Sequence, residues 1–260
     1  MITFTITDYR ELLIFWLFFT RFLTIMMQLP IFEEGKIPPV VRVLSTMIFS
    51  YALYPSVRDV IGSEIDYIGV EHFWYLTISH AMIGLFIGFL IKIIMSVFVS
   101  AGSLMNQQMG FTSVTYFDPS SVSRVGPFEM FIQWTMVIML LQTGALLPIF
   151  KGILASFSTI NLHQMSRLFQ SPIFYINFLK DLFTISLVLS GPILFTNLLL
   201  HLVLGIIARV VPQLNILMVS FAVNIGLGLF VFYTISDEFF HSAYKIYLQK
   251  IGDWFQFIGT

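Results

Sequence analysis

Six long runs of apolar residues, almost free of charge, constrain this chain more than any other feature. They cover roughly residues 11–29, 40–54, 73–99, 128–150, 182–204 and 214–233. A helix needs about 20 apolar residues to cross the hydrocarbon core of a bilayer. Barrel strands would alternate polar and apolar positions, whereas these runs are continuous, so the fold class expected is an all-α membrane protein. The second run is short enough for a tilted or partial span, and the third is long enough to tilt or to continue past the lipid. Composition agrees: 57% of the residues are hydrophobic and 10% charged, against roughly 25% charged in a soluble domain. A soluble enzyme and a disordered chain are thereby excluded. With 13 basic against 14 acidic residues and a net charge of -1, no basic surface is available for nucleic acid. The absence of cysteine removes disulfides, thiolate metal sites and cysteine nucleophiles together. Residues 1–10 lack a basic leader region and the apolar run behind them is too long, so no cleaved signal peptide is expected.

The connections between the runs differ in kind. Residues 30–39 end in Pro38-Pro39, a pair that cannot sit inside a helix and marks a rigid turn. Residues 55–71 carry Asp59, Glu64, Asp66 and Glu71 against Arg58 and read as solvated. Residues 151–181 are basic and polar, with room for a helix along a surface, and residues 205–212 make a tight connection. The third connection, about 102–127, is the unusual one. It is rich in Gly, Met, amide and aromatic residues and has hardly any charge before Asp118. A solvated loop would carry charges, and irregular backbone facing lipid would leave polar groups unpaired at several kcal/mol each. Such a segment belongs inside protein or along a cavity, and flexible methionines suit a seal of variable shape.

Residues 237–260 form a different pattern. Phe240, Tyr244, Tyr247, Ile251, Trp254 and Ile258 recur every three or four positions, with Asp237, Lys245, Gln249 and Asp253 opposite. That period is an amphipathic helix, resting at the lipid interface or docking on a partner subunit.

Within the runs few residues carry chemistry. Arg21 lies in the middle of the first. A central Arg costs at least about 2.5 kcal/mol on insertion scales, so it must face protein or water. It either lines an ion path or is satisfied by helix-end carbonyls or a neighbouring carboxylate. Lys92 is near enough to a helix end to snorkel. His80 and His201 have no intramembrane carboxylate beside them in sequence and read as packed histidines. Gly84 and Gly88 form a GxxxG that lets another helix approach closely, and Gly226 and Gly228 do similar work. No phosphate-binding loop, zinc-binding HExxH, nucleophile elbow or carboxylate cluster with ligand spacing occurs, so no catalysis, metal or cofactor is expected.

Several of these features together resemble the FliR family of flagellar biosynthesis proteins, whose counterparts serve injectisome type III secretion. The matches are Arg21, Pro30, Phe32, Ile37, Pro38 and Arg42; then Gly84, Gly88, Phe89, Ala101-Gly102, Gln108, Gly110 and Asp118-Pro119; then Gly191-Pro192, Gly205, Ala208-Arg209 and Pro212-Gln213-Leu214-Asn215. Two departures stand out: Ser220-Phe221-Ala222 replaces a Gly-Phe-Pro type segment, and His80 stands where an acidic residue is frequent.

The resemblance implies about six hydrophobic helices plus a C-terminal amphipathic helix, packed in a helical export-gate assembly partly raised out of the bacterial inner membrane. It divides a single domain, 1–260, into a P-like part over 1–181, a Q-like helical hairpin over 182–233 and the amphipathic helix over 234–260. It implies P-type and Q-type partner subunits, with a B-type switch subunit and an A-type export subunit beside them in the flagellar basal body. Unfolded exported proteins would pass through. The loop after Gly102 matches the family's plug, which gives Met105, Gln108, Met109, Gly110, Phe111, Phe117, Asp118 and Pro119 a pore-closing role. Arg21, Pro38, Arg42, Gly84, Gly88, Arg209 and Gln213 would hold helix ends or subunit contacts. An injectisome counterpart shares this architecture. A small secondary transporter built around Arg21, His80 and Lys92 is a further alternative, though transporters of that kind show paired repeats that this chain lacks. Loop charges, seven basic residues against four, favour cytoplasmic termini, whereas the Q-like hairpin implies a cytoplasmic turn at 209–215.

Overall fold

The computed structural model describes residues 9–29, 37–112, 126–160, 172–213 and 215–259. Every regular element among them is helical: α1 (Tyr9–Met26), α2 (Pro39–Leu53), α3 (Arg58–Ile68), α4 (Phe73–Gln108), α5 (Pro127–Gln142), α6 (Leu147–Thr159), α7 (Pro172–Val210) and α8 (Ile216–Gly259). Three stretches are long and apolar enough to cross a membrane: Val70–Gln108, Pro172–Val210 and Met218–Phe257. Two further candidates are bent pairs, Pro39–Ser56 with Arg58–Ile68 at 82° and Pro127–Gln142 with Leu147–Thr159 at 75°. The protein is an all-α membrane protein.

The breaks follow local chemistry. Pro38 is extended, with φ -55° and ψ 141°, and Pro39 opens α2, where a missing N–H costs nothing because first-turn donors lack intrahelical partners anyway. The proline pair is therefore a helix start. Gly144, at φ 69°, turns the chain between α5 and α6, so the expected run over 128–150 is two helices. Residues 58–68, read from sequence as a solvated connection, form α3, because Ile61 and Ile65 provide a buried stripe one turn apart. Pro192 lies inside α7, and Thr196 Oγ1 donates to the Pro192 carbonyl at 2.8 Å.

The chain divides into two compact units. The first comprises residues 1–93, 145–172 and 250–260. Its core joins α1 to α6 through Phe18 and Phe157, with ring centroids 5.1 Å apart, and Phe22 and Phe150 at 6.4 Å. α2 is inverted relative to a water-soluble helix. It buries Arg42, Thr46 and Ser50 and leaves Val40, Ile48 and Tyr51 exposed. That polarity suits a helix with apolar surroundings, where small polar residues make the close interhelical contact. The last turns of α8 belong here too. Trp254 is fully buried and meets Phe86 edge-on at 5.9 Å, and the Phe255 ring covers Gly152. The amphipathic face expected at a lipid interface or on a partner thus docks within its own chain. α8 also runs without a break through residue 233, since no glycine or proline interrupts residues 229–251.

The second unit comprises residues 94–144 and 173–249. It holds the end of α4, α5, α7 and most of α8. Phe128 and Phe232 meet edge-on at 4.8 Å and anchor α5 to α8. α7 buries Phe178, Leu182, Ser186, Leu189, Ser190, Ile193 and Leu204 and exposes most of its remaining apolar residues.

Candidate functional site

The third connection begins later than its composition indicates. α4 carries straight through Gly102 and Ser103 to Gln108, because Leu104, Met105 and the amide residues that follow are all helix-compatible and Gly102 is packed against Ile132 and Glu129 of α5. The expectation of irregular backbone from 102 is corrected to a helix that stops at Gly110. The stop has defined chemistry. Gly110 has φ 84°; its N–H donates to the Gln107 carbonyl at 3.1 Å, and the Phe111 N–H donates to the Asn106 carbonyl at 3.1 Å. This pair of bonds satisfies the last carbonyls of a helix through a left-handed residue that glycine adopts without a Cβ penalty.

Asn106 fastens the opposite side of the same turn. Its Oδ1 accepts the Phe128 N–H at 3.3 Å, capping the start of α5, where Gly126 provides no side-chain cap. A Cβ on Gly126 would run into the Asn106 amide. Phe111 and Phe128 stack with planes 2° apart and centroids 6.3 Å apart. Met105 and Met109 are buried, and Met109 packs into the notch left by Gly228 of α8. From α7, Asn197 Nδ2 donates to the Gln108 carbonyl at 2.9 Å and to Gln108 Oε1 at 2.5 Å. Both ends of the connection are therefore held at one point, by Asn106 from within α4 and by Asn197 from outside it. Phe117, Asp118 and Pro119 lie outside the described residues.

The remaining candidates are spread through the fold. Arg21 is fully buried in the first unit. Its Nη2 donates to the Ser156 carbonyl at 2.7 Å and Ser156 Oγ at 3.1 Å, and its Nη1 to the Ile160 carbonyl at 3.4 Å. These acceptors lie at the C-terminal end of α6, where the helix dipole favours a cation, and the Ser156 carbonyl also accepts the Ile160 N–H at 3.0 Å. Its Cζ sits 4.3 Å from the centroid of the Phe157 ring, a cation–π contact. Arg42 Nε donates to the Ile37 carbonyl at 3.2 Å, holding the turn in which Pro38 caps α2. Gly84 and Gly88 lie under α1: a Cβ at Gly84 would stand 2.5 Å from the Arg21 carbonyl oxygen, and one at Gly88 3.1 Å from Ile25 Cα. Arg209, in the last turn of α7, and Gln213 beyond it are exposed.

The residues of the transporter alternative do not all converge. His80 lies over the same Phe157 as Arg21, with ring centroids 6.1 Å apart, and its Nε2 is 3.3 Å from Glu64 Oε2. Lys92 is exposed, about 18 Å farther along α4 at 1.5 Å per residue. The Glu64 partner escapes a search for carboxylates next to histidine in sequence, because α3 folds back to supply it. Asn106 and Asn197 carry a further signal in the sequence, since an amide within an apolar run marks interhelical bonding.

Comparison with known proteins covers nearly the whole chain. Residues 12–249 match the family model for bacterial export proteins, family 1. The flagellar biosynthetic protein FliR of Bacillus subtilis is 27% identical over 217 residues, 82% of each chain. FliR of Buchnera aphidicola subsp. Baizongia pistaciae is 27% identical over 241 residues, 90% of each. The surface presentation of antigens protein SpaR of Shigella flexneri is 24% identical over 232 residues, 89% of this chain and 88% of its own. This helical membrane chain, matched over residues 12–249, belongs to the bacterial export proteins of family 1, and FliR and SpaR are its relatives.

Proposed function

We propose that this chain is a channel subunit of a type III protein export apparatus in the bacterial inner membrane, and that the segment following α4 closes the conduit. Family membership and the names of the relatives support the export role. The closing role rests on one observation above all: the end of α4 carries buried methionines and uncharged amides into a glycine-stopped turn whose two strands are pinned together by Asn106. Such a base anchors the ends of α4 and α5 to each other in largely apolar surroundings, with the Glu129 carboxyl bonded to Ser103 and to the Gly126 backbone beside it. Met105, Gln108, Met109, Gly110 and Phe111 form that base, and Phe117, Asp118 and Pro119 belong to the segment it carries. Export itself is passage of an unfolded chain, with no bond made or broken by this subunit.

P-type and Q-type subunits complete the conduit on this reading, with a B-type and an A-type component beside them. The α7–α8 pair corresponds to the Q-like hairpin, and its broadly exposed apolar surface supports packing against such neighbours. Both flagellar and injectisome relatives match at similar identity; the flagellar system is the reading adopted, and the genes adjacent to this one discriminate. The closing role is tested by deleting residues 113–125 and measuring K+ current through the purified complex in planar bilayers. A leak absent from the unaltered complex is the expected result; an equally tight deletion complex refutes a closing role.

A further inference from the structure

We infer that the crevice between α5 and α8 in the second unit is a lipid site, which takes an acyl chain against its phenylalanine rings and the ammonium of an amine-headed phospholipid at Asp237. The inference is independent of the closing role proposed above and needs only the membrane location of the chain. The crevice has a volume of about 550 Å³, within the roughly 300–1,000 Å³ of sites that enclose small ligands. Phe128 and Phe131 of α5 and Leu229 and Phe232 of α8 line its apolar part. Phe232 meets Phe128 edge-on at 4.8 Å and Phe131 edge-on at 6.2 Å, so the rings brace one another and the walls are already formed. The polar lining residues, Tyr233, Ser236 and Asp237, follow within about a turn of α8. Ser236 Oγ already donates to the Tyr233 carbonyl at 3.0 Å, and Asp237 is the one charged residue of the lining.

Depth along α8 puts that carboxylate at the edge of the lipid. Residues 216–236 carry no charged side chain, and Asp237 is the first that does. At 1.5 Å per residue they span about 31 Å, which matches a hydrocarbon core of about 30 Å. Leu229 and Phe232 therefore lie on the lipid side of Asp237. An acyl chain running toward the start of α8 meets them while its headgroup stays at the carboxylate. Charge then selects the headgroup. Asp237 is exposed, and no ion pair neutralises it among the described residues. No Lys, Arg or His lines the crevice, so a headgroup whose only charge is its phosphate meets a carboxylate and no counter-charge. A primary ammonium meets that carboxylate with Tyr233 and Phe240 one turn to either side, and aromatic faces attract a cation. A lysine from a neighbouring subunit offers the same ammonium, but its four-carbon stem leaves most of a crevice of about 550 Å³ empty, whereas an acyl chain fills it.

The test is native mass spectrometry of the complex purified through this chain, incubated with equal amounts of dioleoyl phosphatidylethanolamine and dioleoyl phosphatidylglycerol. The two lipids share their acyl chains and differ in headgroup, and comparison with variants isolates this site from any other. Asp237→Asn is expected to weaken retention of phosphatidylethanolamine about three- to tenfold, the range for a partly exposed ion pair together with a cation–π contact, and to leave phosphatidylglycerol unchanged. Leu229→Trp fills the apolar part and is expected to displace the bound lipid altogether. Both residues are exposed, so neither change empties the core. Unchanged phosphatidylethanolamine retention by either variant overturns the site. Should the variants fail to assemble, a carbodiimide applied to the unaltered complex in nanodiscs of phosphatidylethanolamine decides the matter. The expected product is an amide between Asp237 and the lipid amine, read as lipid mass on the peptide that carries residue 237. An amide from Asp237 to a lysine of another subunit, or no coupling at Asp237, overturns the lipid assignment. Ion current has no part in these readouts, so a tight 113–125 deletion would remove the closing role and leave this result standing.

Discussion

Adding one methyl group at Gly84 should damage this protein far more than adding one at Gly88, a single turn along the same helix. The ideal Cβ of residue 84 stands 2.5 Å from the Arg21 carbonyl oxygen, inside the 3.0 Å that real Cβ atoms keep from their neighbours. Thr24 Oγ1 would stand nearer still, at 2.0 Å, and can rotate, but the carbonyl is backbone, so α1 itself must move away by about half an ångström or more. The corresponding Cβ at 88 lies 2.6 Å from Gln28 Nε2, the far end of a flexible side chain, and 3.1 Å from Ile25 Cα. Rotation of Gln28 relieves the first contact at the loss of its bond to the Leu85 carbonyl. Overpacking a close interface costs about 1–3 kcal/mol. Gly84→Ala belongs at the upper end, because displacing α1 also draws Arg21 away from the Ser156 carbonyl. Gly88→Ala should cost about 1 kcal/mol, the value of one ordinary hydrogen bond. Reversible unfolding of the detergent-solubilised chain, followed by tryptophan emission, measures both. Equal losses, or a larger loss for Gly88→Ala, would refute the claim that backbone contact at Gly84 sets the distance between α1 and α4.

Three further outcomes follow from the same contacts. Arg21→Lys keeps the charge but loses the planar fork over Phe157, and bonds to a charged donor are worth about 1.5–3 kcal/mol; a loss near that size is expected in the same unfolding measurement, with Arg21→Met no better. Trp254→Ala empties the space against Phe86 and should cost about 3–5 kcal/mol, seen as a lowered unfolding midpoint and early proteolysis of the last turns of α8. Gly110→Ala forces a Cβ into the left-handed region at about 1–2 kcal/mol, while the Phe221 ring at 3.7 Å offers no clash; hydrogen exchange at the Phe111 amide should quicken, and Gly110→Asn should be milder.

The helices were readable from the chain because each apolar run is long and uncharged, and Arg21 announced itself by its cost in lipid. What it bonds to was not readable: the carbonyls that end α6 lie 135 residues away. Gly102 through Gln108 misled for a different reason. Few charges and many amides indicate burial, which is correct, but burial does not distinguish irregular backbone from helix, and every residue there except Gly102 is a tolerable helix former. The bend between α5 and α6 is hidden because hydropathy sums apolar character without regard to direction, so a turn at Gly144 leaves the sum unchanged, whereas α3 is hidden by the charges around its Ile61–Ile65 stripe. The terminal helix was read with the right face and the wrong surroundings, since an apolar stripe states that something covers it and not what.

The most direct measurement places a cysteine at Phe111 in the complex and applies a charged, membrane-impermeant thiosulfonate while K+ current flows through the 113–125 deletion. On the proposed closing role the turn that ends α4 borders the path of the ions, so current should fall as the thiol is modified. Full modification with no change in current would mean that the path runs elsewhere, and the end of α4 would then be scaffold alone.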